Sequence, residues 1–241
     1  MIEITTQRLG AGDVLHATPA GKQRMPLPTV LFYHGFASSK TVYSYFAVAL
    51  AQAGFRVVMP DAPEHGARFN GDERARLDRF WQILHGNLQE FAALRDALFA
   101  EGWVEEGRLA VGGASMGGMT ALGIMARHPE VRCVAALMGS GYYTSLAKTL
   151  FPPPDAFDAI LAPLAPYEAG DHLANLADRP LFLWHGEEDD VVPAVESYRL
   201  QHALARQKLN ERLTCVWQAG VKHRITPLAL DATVNFFQQH L

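Results

Sequence analysis

One glycine-rich octapeptide constrains this chain more than any other stretch: Val111-Gly112-Gly113-Ala114-Ser115-Met116-Gly117-Gly118. A strand-like run precedes it at 108–111, and an apolar, helix-like run follows at 116–127. The pattern predicts a strand, a sharp turn and a helix, with Ser115 held in a strained backbone conformation at the turn. Gly113 and Gly117 flank the serine because a Cβ at either position would strike the neighbouring strand or helix. The start of the helix would offer unpaired N–H groups to a negatively charged oxygen.

Strand-like and helix-like segments alternate along the rest of the chain. Strands are predicted at 2–8, 14–17, 29–33, 55–59, 109–111, 133–138, 181–184 and 212–218. Helices are predicted at 42–53, 72–101, 116–127, 194–207 and 227–240. The long helix at 72–101 is predicted because apolar residues from Leu77 to Leu98 recur every three or four positions. This alternation predicts an α/β fold with a mostly parallel, doubly wound sheet and helices on both faces.

Residues 141–178 interrupt the alternation. Aromatic residues and prolines mix there, and the prolines exclude one long helix. We interpret 1–241 as a single domain in which 141–178 is a small insertion that caps the site, with a plain surface excursion as the alternative. Three aromatic residues of the insertion are candidate contacts for a substrate acyl group, or else form its own small core: Tyr142, Tyr143 and Phe151.

Composition narrows the classes of partner. The net charge of −4 and the lack of a long basic run disfavour nucleic acid and anionic membrane surfaces as partners. The N-terminus lacks a signal-peptide pattern, and no apolar stretch is long enough to span a membrane. Cys133 and Cys215 lie in strand-like runs and are expected to be buried free thiols. We therefore expect a cytoplasmic protein, and the oligomeric state stays open.

Polar residues that follow the predicted strands suggest acyl-transfer chemistry. A serine hydroxyl needs a base, usually histidine, and a carboxylate commonly orients that histidine. After Ser115 the chain offers an acidic loop with Asp189 and then His223, each following a predicted strand. The carboxyl ends of parallel strands meet at one sheet edge, so these three side chains are expected to converge. Asp190 is the alternative acid, because strand-end geometry does not distinguish two adjacent residues.

Other polar residues are expected to hold loops in place rather than to take part in the chemistry. His34 and Gly35 are expected to shape the loop after the strand at 29–33, and Asp61 and His65 to brace the neighbouring loop. The four carboxylates at 187–190 are a weak candidate for a metal site, because a hard cation needs further oxygen ligands at set spacings. We expect neither a metal nor a cofactor.

Several motifs carry a resemblance to a known family. The pattern His185-Gly186-x-x-Asp189-x-x-Val192-Pro193 is similar to the acid loop of the α/β-hydrolase superfamily. Over its full length the chain resembles the bacterial YjfP-type carboxylesterases. Matching stretches lie at 32–36, 59–66, 112–118 and 184–193.

The resemblance implies an α/β-hydrolase fold and a serine esterase with Ser115 as nucleophile, His223 as base and Asp189 as acid. It also implies an oxyanion hole made by the backbone N–H groups of Phe36 and Met116. The implied substrate is a small-molecule ester with a short acyl chain. A thioesterase, lactonase or peptidase with the same triad is the alternative.

Two readings outside the hydrolases are less well supported. A dinucleotide-binding oxidoreductase would need a Gly-x-Gly-x-x-Gly register and an acidic residue about 20 positions later, and residues 112–117 and 132–136 provide neither. A binding protein that kept the fold but lost activity conflicts with an intact set of Ser115, Asp189 and His223.

Overall fold

The computed structural model describes residues 1–10 and 12–241, which are built around one eight-stranded sheet. The strands are β1 (Ile2–Leu9), β2 (Gly12–Pro19), β3 (Leu27–Tyr33), β4 (Arg56–Pro60), β5 (Val104–Ala114), β6 (Cys133–Leu137), β7 (Leu181–Gly186) and β8 (Leu213–Gln218). Their order across the sheet is β1-β2-β4-β3-β5-β6-β7-β8. The pairings β1–β2 and β2–β4 are antiparallel, and every pairing from β4 to β8 is parallel. The predicted mostly parallel sheet is confirmed.

Helices cover both faces of this sheet, as predicted. The α-helices are α1 (Ser44–Gln52), α2 (Glu73–Asp78), α3 (Phe80–Ala100), α4 (Met116–Arg127), α5 (Tyr143–Leu146), α6 (Phe157–Leu161), α7 (Leu173–Ala177), α8 (Val195–Arg206) and α9 (Pro227–His240). One apolar core contains residues of α1 and α9, such as Phe46 and Phe237. The other contains residues of α3, α4 and α8, such as Phe91, Met119 and Leu200.

The prediction of a single long helix at 72–101 is wrong. The segment forms two helices, α2 and α3, that are separated at Arg79, whose φ of −108° and ψ of 16° leave the helical region. Leu77, counted in the predicted apolar stripe, is 44% exposed, whereas Arg76 beside it is buried. Because the backbone leaves the helical region at Arg79, the periodicity of α3 does not continue into α2.

The turn at Ser115 has the predicted strain and close packing. Ser115 has a φ of 57° and a ψ of −120°, a conformation that a residue with a side chain rarely adopts. A Cβ on Gly117 would collide with the carbonyl oxygen of Tyr33, and one on Gly113 would collide with the carbonyl oxygen of Gly117. The two glycines therefore let α4 approach β3 and β5, which places Ser115 at the carboxyl end of β5.

The insertion at 141–178 consists of short helices packed against α3 and α4. Besides α5, α6 and α7 it contains 3₁₀ helices at Ala162–Tyr167 and Ala169–Asp171. The Tyr143 hydroxyl donates to the Met119 carbonyl oxygen on α4 (2.8 Å), and the Phe151 carbonyl oxygen accepts from the Trp81 indole on α3 (3.0 Å). That this insertion caps the site stays a prediction.

The structure also bears on the expectations for the two cysteines and for a membrane-spanning segment. Cys133 is buried, Cys215 is half-buried, and both are free. Burial raises the pKa of each thiol to about 12, which keeps both protonated and unreactive at neutral pH. Within residues 1–10 and 12–241, no helix combines the length and apolar character that a bilayer-spanning segment needs.

Candidate active site

The loops after β5, β7 and β8 bring Ser115, Asp189 and His223 together. His223 Nε2 lies 2.9 Å from Ser115 Oγ. On the other side of the ring, His223 Nδ1 lies 2.7 Å from Asp189 Oδ2 and 3.0 Å from Asp189 Oδ1. These contacts form a continuous hydrogen-bonded path from the hydroxyl through the imidazole to the carboxylate. Nε2 of the imidazole contacts the serine, and Nδ1 contacts the carboxylate. In this arrangement the imidazole can accept the serine proton while the carboxylate stabilises the resulting positive charge.

The surroundings of Asp189 keep its carboxylate ionised. Its side chain is fully buried, and burial alone would raise its pKa. Hydrogen bonds from His185, His223 and the Val191 amide outweigh the burial and hold the pKa of Asp189 well below its usual range. The Val191 and Val192 amides each donate to Asp189 Oδ1 at 2.9 Å. The carboxylate is thus a fixed acceptor for His223 at neutral pH.

Asp190 occupies a different environment. Its carboxylate is exposed and forms an ion pair with Lys222 at 3.0 Å. That ion pair lowers the pKa of Asp190. Of the two adjacent acids, the structure brings Asp189 to His223 and directs Asp190 toward solvent.

His185 holds the acid loop from inside the protein. Its ring is fully buried, with Nδ1 at 2.7 Å from Ser197 Oγ and Nε2 at 2.8 Å from the Val192 carbonyl oxygen. His185 Nε2 also lies 3.2 Å from Asp189 Oδ2. These contacts brace the acid loop from the interior of the protein.

Two backbone amides beside Ser115 are available to an oxyanion. Neither the Phe36 nor the Met116 N–H donates to another group in the described part of the chain. The next amide, that of Ala37, instead donates to His65 Nε2 at 2.9 Å. A Cβ built on Gly35 would lie 3.4 Å from the Ser115 Cβ, so the loop after β3 runs directly against the serine.

A buried ion pair ties the loop after β3 to the loop after β4. Lys40 Nζ donates to Asp61 Oδ2 at 2.5 Å, and the Lys40 amide donates to Asp61 Oδ1 at 2.9 Å. His34 Nε2 accepts from the Ala62 amide at 3.0 Å. Burial would raise the pKa of Asp61, but its hydrogen bonds with Lys40 lower it. Sequence reasoning missed Lys40, because a lysine in a polar stretch has the pattern of a solvated surface residue.

His65 must be neutral to accept the Ala37 N–H, and this predicts a pH-dependent stability. Burial lowers the pKa of His65 from 6.5 to about 4. Between these values the unfolded chain binds a proton that the folded chain does not. The free energy of unfolding therefore falls as the pH is lowered through this window, with His65 contributing up to about 1.4 kcal/mol per pH unit.

Replacing His65 by glutamine is expected to reduce this slope, and urea denaturation at several pH values between 4 and 6.5 measures it. The buried His16 and His34, whose pKa values burial also lowers, retain their share of the slope. His202→Gln on the exposed face of α8 is the matched control. An unchanged slope in His65→Gln would contradict the assignment.

The three aromatic residues predicted to contact an acyl group lie in different places. Tyr143 is fully buried, with its hydroxyl bonded to Met119. Tyr142 lies under the guanidinium of Arg199, whose Cζ is 3.7 Å from the ring centroid. Only Phe151 reaches the loop after β3, where its ring centroid is 5.3 Å from that of Phe36. The environments of Tyr142 and Tyr143 fit the alternative that they form the small core of the insertion.

Aromatic rings surround Phe36. Besides Phe151, the rings of Phe80 and His65 lie with their centroids 5.0 and 5.1 Å from that of Phe36. Phe36 itself is only partly buried. The oxyanion loop therefore borders an apolar wall that can accept a short hydrocarbon group.

The acidic run at 187–190 does not gather its carboxylates around one point. Glu187 accepts from the Tyr198 hydroxyl at 2.8 Å, Asp189 contacts His223, and Asp190 pairs with Lys222. Within the described residues, no group of three or more histidine, cysteine, aspartate or glutamate side chains is placed to bind a metal. The weak metal alternative therefore receives no support from the geometry.

Comparisons with known proteins show the family of this chain. The profile of the prolyl oligopeptidase family matches residues 41–241. The chain is 62% identical over 249 residues to the Escherichia coli protein named Esterase YjfP, and the match covers 100% of both chains.

Two solved structures share the fold. TT1662 from Thermus thermophilus has a TM-score of 0.82 and 24% identity, with 99% of this chain and 98% of that chain covered. A puromycin-hydrolyzing peptidase of Mycobacterium tuberculosis has a TM-score of 0.78 and 20% identity, with 99% of this chain and 39% of that chain covered. Together with the family match, these likenesses confirm the α/β-hydrolase fold.

Proposed function

Because this chain belongs to the prolyl oligopeptidase family, we propose that it is a serine carboxylesterase that hydrolyses short-chain acyl esters through an acyl-serine intermediate. The single observation that carries the proposal is the 2.9 Å approach of His223 Nε2 to Ser115 Oγ. The esterase assignment is supported by the relative that is 62% identical over its full length.

In the acylation step, Ser115 Oγ attacks the ester carbonyl carbon while His223 Nε2 takes the hydroxyl proton. The carbonyl oxygen becomes an oxyanion, which accepts hydrogen bonds from the Phe36 and Met116 amides. Asp189 holds the His223 ring in the tautomer that leaves Nε2 free and stabilises the imidazolium. When the bond to the leaving alcohol breaks, His223 donates its proton to the alcohol oxygen.

In the deacylation step, water takes the place of the alcohol. His223 accepts a proton from the water as its oxygen attacks the acyl carbon, and the same two amides hold the second oxyanion. The bond to Ser115 Oγ then breaks, and His223 returns the proton to the serine. The carboxylic acid leaves, and no cofactor enters the scheme.

The surroundings of the site define the remaining parts of the proposal. Phe151, next to Phe36, is the acyl contact, and the insertion at 141–178 caps the site. The partner is a small-molecule ester rather than a nucleic acid or a membrane, and the location is cytoplasmic. The net charge of −4 supports the exclusion of nucleic acid.

Covalent labelling and a substrate panel test the function. A fluorophosphonate probe is expected to modify Ser115, which peptide mass spectrometry can locate. Chromogenic acetate and butyrate esters are expected to be cleaved with a higher kcat/KM than a matched thioester, lactone or anilide. If Ser115 is labelled but the thioester, lactone or anilide is cleaved faster than the esters, the protein is instead a thioesterase, a lactonase or a peptidase. Failure to label Ser115 would contradict the serine mechanism.

A further inference from the structure

Arg76, on α2, carries a buried positive charge that has no counter-ion among residues 1–10 and 12–241. The residue is only 9% exposed, and its Nε is buried without a hydrogen-bond partner. Arg76 takes part in none of the ion pairs of the described residues. Buried charges are normally paired, because desolvation of an isolated ion is costly. An arginine in this state therefore requires an explanation.

Three carboxylates of the surrounding segments are engaged elsewhere. Asp72 caps the start of α2 by accepting from the Ala75 amide at 2.9 Å. Glu64 pairs with Arg79 at 2.9 Å, and Asp61 pairs with Lys40 at 2.5 Å. The contacts made by the guanidinium of Arg76 are aromatic: its Cζ lies 4.2 Å from the ring centroid of Phe69 and 5.7 Å from that of Phe36. Aromatic faces hold the guanidinium in place and leave its in-plane donors uncommitted.

Arg76 also faces a residue of the proposed reaction centre. Phe36, which it faces, supplies one of the two amides assigned to the oxyanion hole. Gly35, the preceding residue, packs against Ser115, with only 3.4 Å between a Cβ built on the glycine and the serine Cβ. One aromatic ring thus separates the unpaired guanidinium from the loop that touches the nucleophile.

We propose that Arg76 forms an anion subsite of the esterase, which binds a carboxylate or phosphate group carried by the ester a few bonds from the reacting carbonyl. The planar guanidinium can donate two parallel hydrogen bonds to either group. The apolar wall around Phe36 strengthens that attraction by excluding water. The inference rests on the proposed function and narrows its substrate class to acidic esters.

Matched pairs of esters test the subsite. Monoethyl adipate and ethyl hexanoate have acyl chains of equal length, and only the first carries a carboxylate on the acyl side. 4-Acetoxybenzoate and phenyl acetate form a second pair with the charge on the alcohol side. The hydrolysis of each ester is measured by pH-stat titration. For each pair, the readout is the ratio of kcat/KM for the acidic ester to kcat/KM for the neutral ester. The pair that shows the preference identifies the side of the substrate that carries the anion.

The wild-type enzyme is expected to prefer the acidic member of at least one pair. Arg76→Met is expected to lower that ratio by about tenfold or more, since a charge-assisted hydrogen bond is lost. Arg76→Lys, which keeps the charge but not the planar fork, is expected to give an intermediate ratio. Arg74→Met, an exposed arginine on the same helix, is the matched control for net charge and is expected to leave the ratio unchanged.

The outcomes separate this inference from the proposed function. If the wild-type enzyme cleaves the neutral esters but Arg76→Met and Arg76→Lys leave both ratios unchanged, the subsite is overturned and the esterase stands. Equal losses on both members of a pair would assign Arg76 to holding Phe36 in place and would also overturn the subsite. If the wild-type enzyme cleaves none of the esters, the proposed function fails and the inference fails with it.

Discussion

Ser115→Ala is expected to lower kcat for ester hydrolysis by at least about 10⁴-fold. The substitution removes the oxygen that forms the acyl-enzyme, and neither His223 nor the two oxyanion amides can replace it. The loss should lie in kcat, because the groups that bind the ester remain in place. Stopped assays with a chromogenic butyrate ester at high enzyme concentration measure the residual rate.

The fold should survive this change. The Ser115 hydroxyl makes one hydrogen bond, to His223, so the free energy of unfolding should change by no more than about 1 kcal/mol. Circular dichroism and urea denaturation, with the wild-type protein as reference, check this. A variant at Ser115 that retains more than about one-tenth of the wild-type turnover would refute the nucleophile assignment.

The second large effect is expected at Asp189. An asparagine there can still accept the Val191 and Val192 amides, but it then turns its NH₂ group toward His223 Nδ1. The imidazole would carry its proton on Nε2, facing Ser115, and could not act as the base. We expect kcat to fall by about 10³–10⁴-fold at neutral pH.

Asp190→Asn is the matched control, because it makes the same chemical change one residue along the chain. Asp190 is exposed and contacts Lys222 rather than His223, so its removal should alter kcat by less than about threefold. Steady-state kinetics on both variants decide the question. A larger loss in Asp190→Asn than in Asp189→Asn would move the acid by one residue and contradict the geometry described above.

The features predicted correctly from the sequence depend on short stretches of chain. Apolar runs at 29–33, 133–138 and 181–184 are dense enough to indicate strands that are buried on both faces, and all three lie in the sheet. The glycines around Ser115 indicate the turn because backbone clashes there do not depend on distant residues. Because parallel strands end at one edge of the sheet, the sequence also predicted that Asp189 and His223 lie near Ser115.

The features that were missed depend on how segments meet in space. The periodicity that predicted one helix at 72–101 contains no information on the break at Arg79 or on the burial of Arg76. Composition indicated that Tyr142 and Tyr143 belong to an insertion, but not that Tyr143 turns its hydroxyl to Met119. Nor does a lysine at position 40 indicate its buried ion pair with Asp61, since the partner is 21 residues away.

The sequence by itself determined the α/β class and the strained turn at Ser115, because apolar spacing and local backbone sterics specify them. Only the tertiary structure decided that Asp189 rather than Asp190 faces the imidazole. Within the described residues, it also leaves the Phe36 amide unbonded while the Ala37 amide donates to His65, and it buries Arg76 Nε without a hydrogen-bond partner. The direction of a side chain and the partners left over for it depend on the packing of several loops at once. That packing is a property of the whole fold and of no single stretch of the chain.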